Sequence, residues 1–121
     1  MITGIITADL EPLLNEVYAR SVDDALLPVR TLLDTGFNGS FCMPKLILDK
    51  MGLRPVAVES YELADGSISE QEVFRGEIVV NHQPVIVEMN GTDSETALMG
   101  MAMLIGKEAV FNLKDMTIRV A

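Results

Sequence analysis

Asp34 ends a β-type apolar run and opens a glycine-punctuated turn: the segment from Thr31 to Ser40 reads TLLDTGFNGS. A carboxylate at the end of a strand, carried into a loop, sits on a rigid rim from which it can exchange a proton with a bound molecule. Period-two alternation puts Val29, Thr31 and Leu33 on one side and Arg30, Leu32 and Asp34 on the other, and Gly36 lets the backbone turn sharply past the carboxylate. Taken alone, Asp34, Thr35 and Gly36 are equally what an ordinary Asp-initiated turn uses. They are not alone, because a second glycine-centred segment, ALMGMAML from Ala97 to Leu104, follows later in the chain and leads into two further β-type runs.

No second Asp-Thr-Gly or Asp-Ser-Gly occurs: Asp65, Gly66, Ser67 and Asp93, Ser94, Glu95 have a different order. Chemistry that needs two such aspartates therefore needs two chains. The single histidine, His82, lies between Asn81 and Gln83 in a turn-like stretch with no Cys or acidic partner at ligand spacing, so it reads as a solvated turn residue and not a metal ligand. Cys42, just beyond the Asp34 loop, reads as a small buried hydrophobe, since no histidine stands near it in sequence to activate a thiol. The eight methionines read as core filling.

The elements that must position Asp34 are short and mostly β. Strand-like runs cover Ile2 to Leu10, Pro28 to Asp34, Val56 to Leu63, Glu77 to Val80, Val85 to Met89, Ala109 to Leu113 and Thr117 to Val120. Turn chemistry separates them at Asp65-Gly66, at Asn81 to Pro84 and at Lys114-Asp115, which predicts hairpins in an antiparallel barrel or sandwich. One short helix is expected over Lys45 to Met51: Pro44 sits at its start, Leu46, Ile47, Leu48 and Met51 form an apolar arc, and Gly52 supplies a left-handed stop. The run from Met101 to Ile105 fits either a helical turn or a buried strand, because periodicity cannot separate them at this length.

A chain of 121 residues, 49% of them apolar, is expected to form a single domain over residues 1–121 with its own core. The net charge of −9 and the absence of any Lys/Arg run argue against nucleic acid as a partner. The most apolar stretch, Ala97 to Gly106, is too short to span a bilayer, which argues against a membrane role. A lone cysteine and an N-terminus without secretory features suit a reducing, cytoplasmic setting.

In the order of these segments the chain resembles the retropepsin-like (clan AA) aspartic proteases, and within them a small prokaryotic group whose Asp-Thr-Gly is followed by Phe, as Phe37 follows here. The similarity spans nearly the whole chain: an N-terminal strand, LLDTGFNGS, the PKLILDKMGL helix, an ELADGS segment, and LMGMAML before the closing strands. It departs from the wider family at Phe37, where Ser or Ala is usual, and at Ala102, where Asp or Asn is usual. The resemblance implies an all-β, closed-barrel acid protease fold with one short α-helix and a flap hairpin, functional as a homodimer. It implies Asp34 as the catalytic aspartate, Thr35 as a brace across the dimer axis, and Gly36 as the point of close approach. The segment from Tyr61 to Gly76 would form the flap, with Ala64, Asp65, Gly66 and Ser67 near its bend; together with Phe37 these are the expected substrate-binding residues.

On this resemblance the chain is expected to be an aspartic endopeptidase, a hydrolase acting on peptide or protein substrates without metal or organic cofactor. Two carboxylates a few ångströms apart do not both ionise readily and share one proton. The ionised member can then deprotonate a water while the protonated one donates toward the developing oxyanion. A dimeric peptide-binding or assembly module on the same scaffold, without catalysis, is the alternative. A phosphate-handling ATPase, which also places an aspartate at a strand end, needs more chain and alternating strand-helix units than are present here.

Overall fold

The computed structural model describes residues Met1–Ala121. Twelve strands and one helix follow in the order β1 (Ile2–Ile6), β2 (Pro12–Leu14), β3 (Val17–Arg20), β4 (Leu26–Pro28), β5 (Thr31–Leu33), β6 (Phe41–Pro44), α1 (Lys45–Met51), β7 (Ala57–Glu62), β8 (Ile68–Val80), β9 (Gln83–Thr92), β10 (Ala97–Met99), a 3₁₀ turn (Met101–Leu104), β11 (Ala109–Asn112) and β12 (Thr117–Val120).

The longest ladder is the β8–β9 hairpin, registered from Val80↔Gln83 to Val73↔Asn90. Its two loop residues, Asn81 and His82, have φ of 49° and 66°, the left-handed pair whose twist matches that of the flanking strands. His82 is thus a turn residue, with its Nε2 3.0 Å from the Glu16 carboxylate. The first five residues of β8 pair with β7 alone, in a register from Glu62↔Ile68 to Ala57↔Val73. This leaves a two-stranded ribbon projecting beyond the sheet.

The expected run from Ile2 to Leu10 divides: β1 stops at Ile6, Leu10 takes φ 62° in a turn closed by its N–H to Thr7 O, and β2 begins at Pro12. The run from Pro28 to Asp34 likewise divides between β4 and β5. Helix α1 occupies the expected residues. Pro44 precedes it in an extended conformation, and Gly52 ends it at φ 74° with its N–H on Asp49 O. Leu48 and Met51 are buried while Leu46 is exposed, because residues 48 and 51 share a face at 3.6 residues per turn and residue 46 points away from it.

A cluster of 19 buried apolar residues forms the core. Met43, Met51, Met89 and Met99 are fully buried within it beside Phe41, Ile78 and Ile118, where the flexible thioether fills irregular gaps between short strands. Thr31, also fully buried, donates its hydroxyl to Val29 O at 3.1 Å, which removes the cost of an unpaired polar group.

The strands join into one hydrogen-bonded path, β11-β12-β1-β2-β5-β10-β6-β9-β8-β3-β4, with β7 on β8. This corrects the expected closed barrel: the path is open, ending at β11 and β4. The β4 end is only three residues long and finishes at Pro28, which has no N–H to offer a further strand. Both terminal strands pair inside the chain. β1 lies between β12 and β2, and β12 lies between β1 and β11.

Candidate active site

Asp34 is positioned by a parallel pair, β5 on β10, in the register Thr31↔Ala97 to Leu33↔Met99. One residue past the register, the Asp34 N–H donates to Met99 O at 2.9 Å, so the strand end is tied down at the carboxylate. The alternation is as expected: Val29, Thr31 and Leu33 are buried, and Asp34 on the other side is half-buried. Its Oδ1 accepts the Gly36 N–H at 2.9 Å, and its carbonyl accepts the Phe37 N–H at 3.2 Å. Oδ2 accepts no hydrogen bond from the chain. Thr35 is exposed and its hydroxyl bonds to nothing in the chain.

Beyond Asp34 the loop is stapled to the segment after β10. Met101 N–H donates to Phe37 O at 2.8 Å, Gly100 N–H to Ser40 O at 2.9 Å, and Ala102 N–H to Gly39 O at 3.3 Å. Gly100 is required by this closeness, since a Cβ there would lie 2.1 Å from Gly39 O and 2.6 Å from the Phe37 ring. A Cβ on Gly39 would lie 2.7 Å from the same ring. The half-buried Phe37 ring therefore occupies space that side chains at 39 and 100 would need, which accounts for a large aromatic directly after the Asp-Thr-Gly.

A cavity of about 470 Å³ opens beside this loop. Gly36 to Ser40 and Ala102 form one wall, Glu59 and Tyr61 of β7 with Val73 of β8 another, and Glu88, Met89 and Asn90 of β9 complete it; Asp34 and Thr35 are not among its lining residues. The hairpin thus contributes to the cavity through its strands, not through its bend. Ala64, Asp65, Gly66 and Ser67 form the exposed tip and do not line the cavity in the single chain. The tip is well formed: Gly66 N–H bonds Leu63 O, Gly66 takes φ 83°, and Asp65 Oδ1 accepts the Ser67 N–H at 2.9 Å and the Ser67 hydroxyl at 2.6 Å. These two bonds hold the Asp65 carboxyl below its ordinary value of 3.8.

Glu59, Tyr61, Glu88 and Asn90 are wall residues that sequence reasoning did not single out. Period two puts Glu59 and Tyr61 on one face of β7, a signal that was present but had no partner to aim at. The Tyr61 hydroxyl donates to the Glu59 carboxylate. That bond, with some burial and the Glu59 charge acting the same way, raises the phenol above its ordinary value. On the β9 wall, Asn90 Nδ2 is buried without a hydrogen bond of ordinary geometry, and the Asn90 side chain beside the Tyr61 hydroxyl opposes the rise of that phenol. Cys42, half-buried on β6, has its thiol pushed up by burial, the opposite of what a thiolate nucleophile needs. No three His, Cys, Asp or Glu side chains are placed so that they could hold a metal ion, and no helix is long and apolar enough to cross a membrane.

Neither a family model nor a curated protein matches the chain. Among solved structures it is similar to the solution structure of simian foamy virus (mac) protease, at a TM-score of 0.55 and 18% identity, over 76% of this chain and 97% of that one. The fold is therefore retropepsin-like: mostly β with one short helix, on a protease-type scaffold.

Proposed function

We propose that this chain is an aspartic endopeptidase of the small prokaryotic Asp-Thr-Gly-Phe group, acting in the cytoplasm as a homodimer in which each subunit supplies one Asp34. The observation that carries this reading is the Asp34 cradle. One carboxylate oxygen is held by Gly36 N–H, the other is free, and the strand end is tied to Met99 beside a cavity flanked by a hairpin.

Brought together across a twofold axis, two Asp34 carboxylates retain one proton between them because like charges at close range resist double ionisation. The ionised member takes a proton from a water as its oxygen attacks the peptide carbonyl. The protonated member donates its proton to that carbonyl oxygen, giving a tetrahedral diol, and proton return to the amide nitrogen releases the two product chains. Thr35, whose hydroxyl is unengaged within one subunit, braces the facing loops. An extended peptide runs between the Asp34 loop and β7. Ala64 to Ser67 come to the substrate only as the hairpin closes.

Cleavage of a random peptide library across acid to neutral pH, read by mass spectrometry, tests this. Wild type is expected to cleave, and Asp34→Asn to lose at least about a thousandfold in rate. Cleavage that survives Asp34→Asn would overturn the mechanism. A dimeric wild type that cleaves at no pH would transfer the scaffold to peptide binding or assembly.

A further inference from the structure

Two Asp34 carboxylates can share a water only if the twofold axis passes beside the Asp34–Gly36 loop. On that two-carboxylate reading, on which the placement of the interface rests, the surface that meets the second chain must be continuous with the loop. Terminal strands are the obvious means of joining two such chains, but here they are already used. β1 and β12 are each paired along both edges within one chain, and neither can add to a partner without breaking an internal ladder.

Ala102 marks a different continuity. It lines the cavity beside the Asp34 loop and also a second cavity of about 430 Å³, which runs from the 3₁₀ turn to the start of β1 and the end of β12. Met1, Val85, Met103 and Val120 are among the apolar walls of this groove, and no acidic side chain lines it; Lys107 is its only charged side chain. Exposed apolar residues flank its lining residues in the chain: Met101 precedes Ala102 at the start of the 3₁₀ turn, and Ile105, at 80% exposure, follows the turn between Met103 and Lys107. The cavity between α1 and β8 is lined by Asp49, Glu70, Glu72 and Asp93, whereas one over β1, β11 and β12 carries Arg119 as its only charged side chain; neither shares a lining residue with the cavity beside the Asp34 loop. Two copies that each carry a charge of −9 repel over most of their surfaces. The groove that shares Ala102 with the cavity beside the Asp34 loop, and that no acidic side chain lines, is a face on which they can meet while removing apolar area from water.

We propose that a second copy of this chain covers the groove around Ala102, Met103 and Val85, through side-chain packing and not through exchanged terminal strands. The contact is isologous, with the same patch used by both subunits. It sets the two 3₁₀ turns near the axis and, through the staples from residues 100–102 to residues 37–40, fixes the spacing of the two Asp34 loops.

Sedimentation equilibrium and concentration-dependent peptide cleavage, on wild type, Val85→Glu, Ile105→Glu and Lys107→Glu, test the surface, with circular dichroism as the check on folding. Leu46→Glu on the outer face of α1, equally apolar and exposed, serves as control. Val85→Glu and Ile105→Glu are expected to raise the dimer dissociation constant by at least about tenfold, and Lys107→Glu by about threefold. Activity per chain should recover at high enzyme concentration, and Leu46→Glu should change neither quantity. Should Val85→Glu fail to fold, Ile105→Glu and Lys107→Glu decide. If the folded variants dimerise as wild type does, the groove is not the interface and the inference falls, while the shared-aspartate reading stands. If wild type is monomeric at every concentration and still cleaves through Asp34, the shared site falls and takes the inference with it.

Discussion

The Asp34 loop and the β7–β8 hairpin face each other across one cavity, yet they are held in different ways. From Asp34 to Ser40 the loop is tied to residues 99–102 by four backbone hydrogen bonds and wedged by a ring lying against two glycines. It stands on a parallel pair whose inward residues, Leu33, Ala97 and Met99, are fully or nearly fully buried. The hairpin has no such backing. All six residues of β7 are exposed, and beyond Val73 the ribbon is paired on one edge only. A two-stranded ribbon in water is marginally stable, so its order comes from its own turn and from whatever it closes over. On the proposed function, rigidity falls where a carboxylate would be held to a fraction of an ångström, and compliance where a peptide would enter and leave.

Alanine in place of glycine breaks this contrast most directly. Gly100→Ala would put a Cβ 2.1 Å from a backbone oxygen that has nowhere to move, and it is expected to cost more than about 3 kcal/mol, or to prevent folding, in urea denaturation. Gly66→Ala at the hairpin tip meets nothing within 4 Å. Only the strain of φ 83° remains there, so about 1 kcal/mol is expected, with global unfolding scarcely changed because the tip opens independently. Similar losses for the two variants would mean that the hairpin is as tightly integrated as the loop.

The smallest effect is electrostatic. Asp65 is held below its ordinary value of 3.8 by Ser67, so its contribution to the tip is fully present above that value and is lost as pH falls through the lower folded value. The Ser67 amide resonance should titrate with a midpoint below 3.8, and Ser67→Ala should move that midpoint upward. A midpoint at 3.8 or higher in wild type would show that the turn bonds do not persist in solution.

The reach of local signals explains which parts were legible in the chain. Helix α1 was readable because Pro44 and Gly52 act on the residues beside them; the turn expected over Asn81 to Pro84 was readable because Asn tolerates the left-handed backbone, although it narrows to Asn81-His82, with Gln83 and Pro84 already in β9. β2, β3, β6 and β10 are three or four residues each, too short for a period to declare itself; β11 and β12 are as short but were marked by the turn at Lys114-Asp115 between them. Strand β10 in particular was visible only as an apolar run, since its place between β5 and β6 depends on residues more than 50 positions away.

What the sequence alone determined is the unit that acts locally: one Asp-Thr-Gly at a strand end, β-rich surroundings, one short capped helix, and a count of aspartates that requires a second chain for two-carboxylate chemistry. Tertiary structure decided what brings distant residues together. It placed Gly100 against the Phe37 ring, aimed Glu59, Tyr61 and Asn90 at the cavity, closed the terminal strands on each other and left the sheet open. The physical reason is that backbone conformation follows from near neighbours, whereas a close approach, a cavity wall or an unpaired strand edge exists only once segments far apart in the chain have packed.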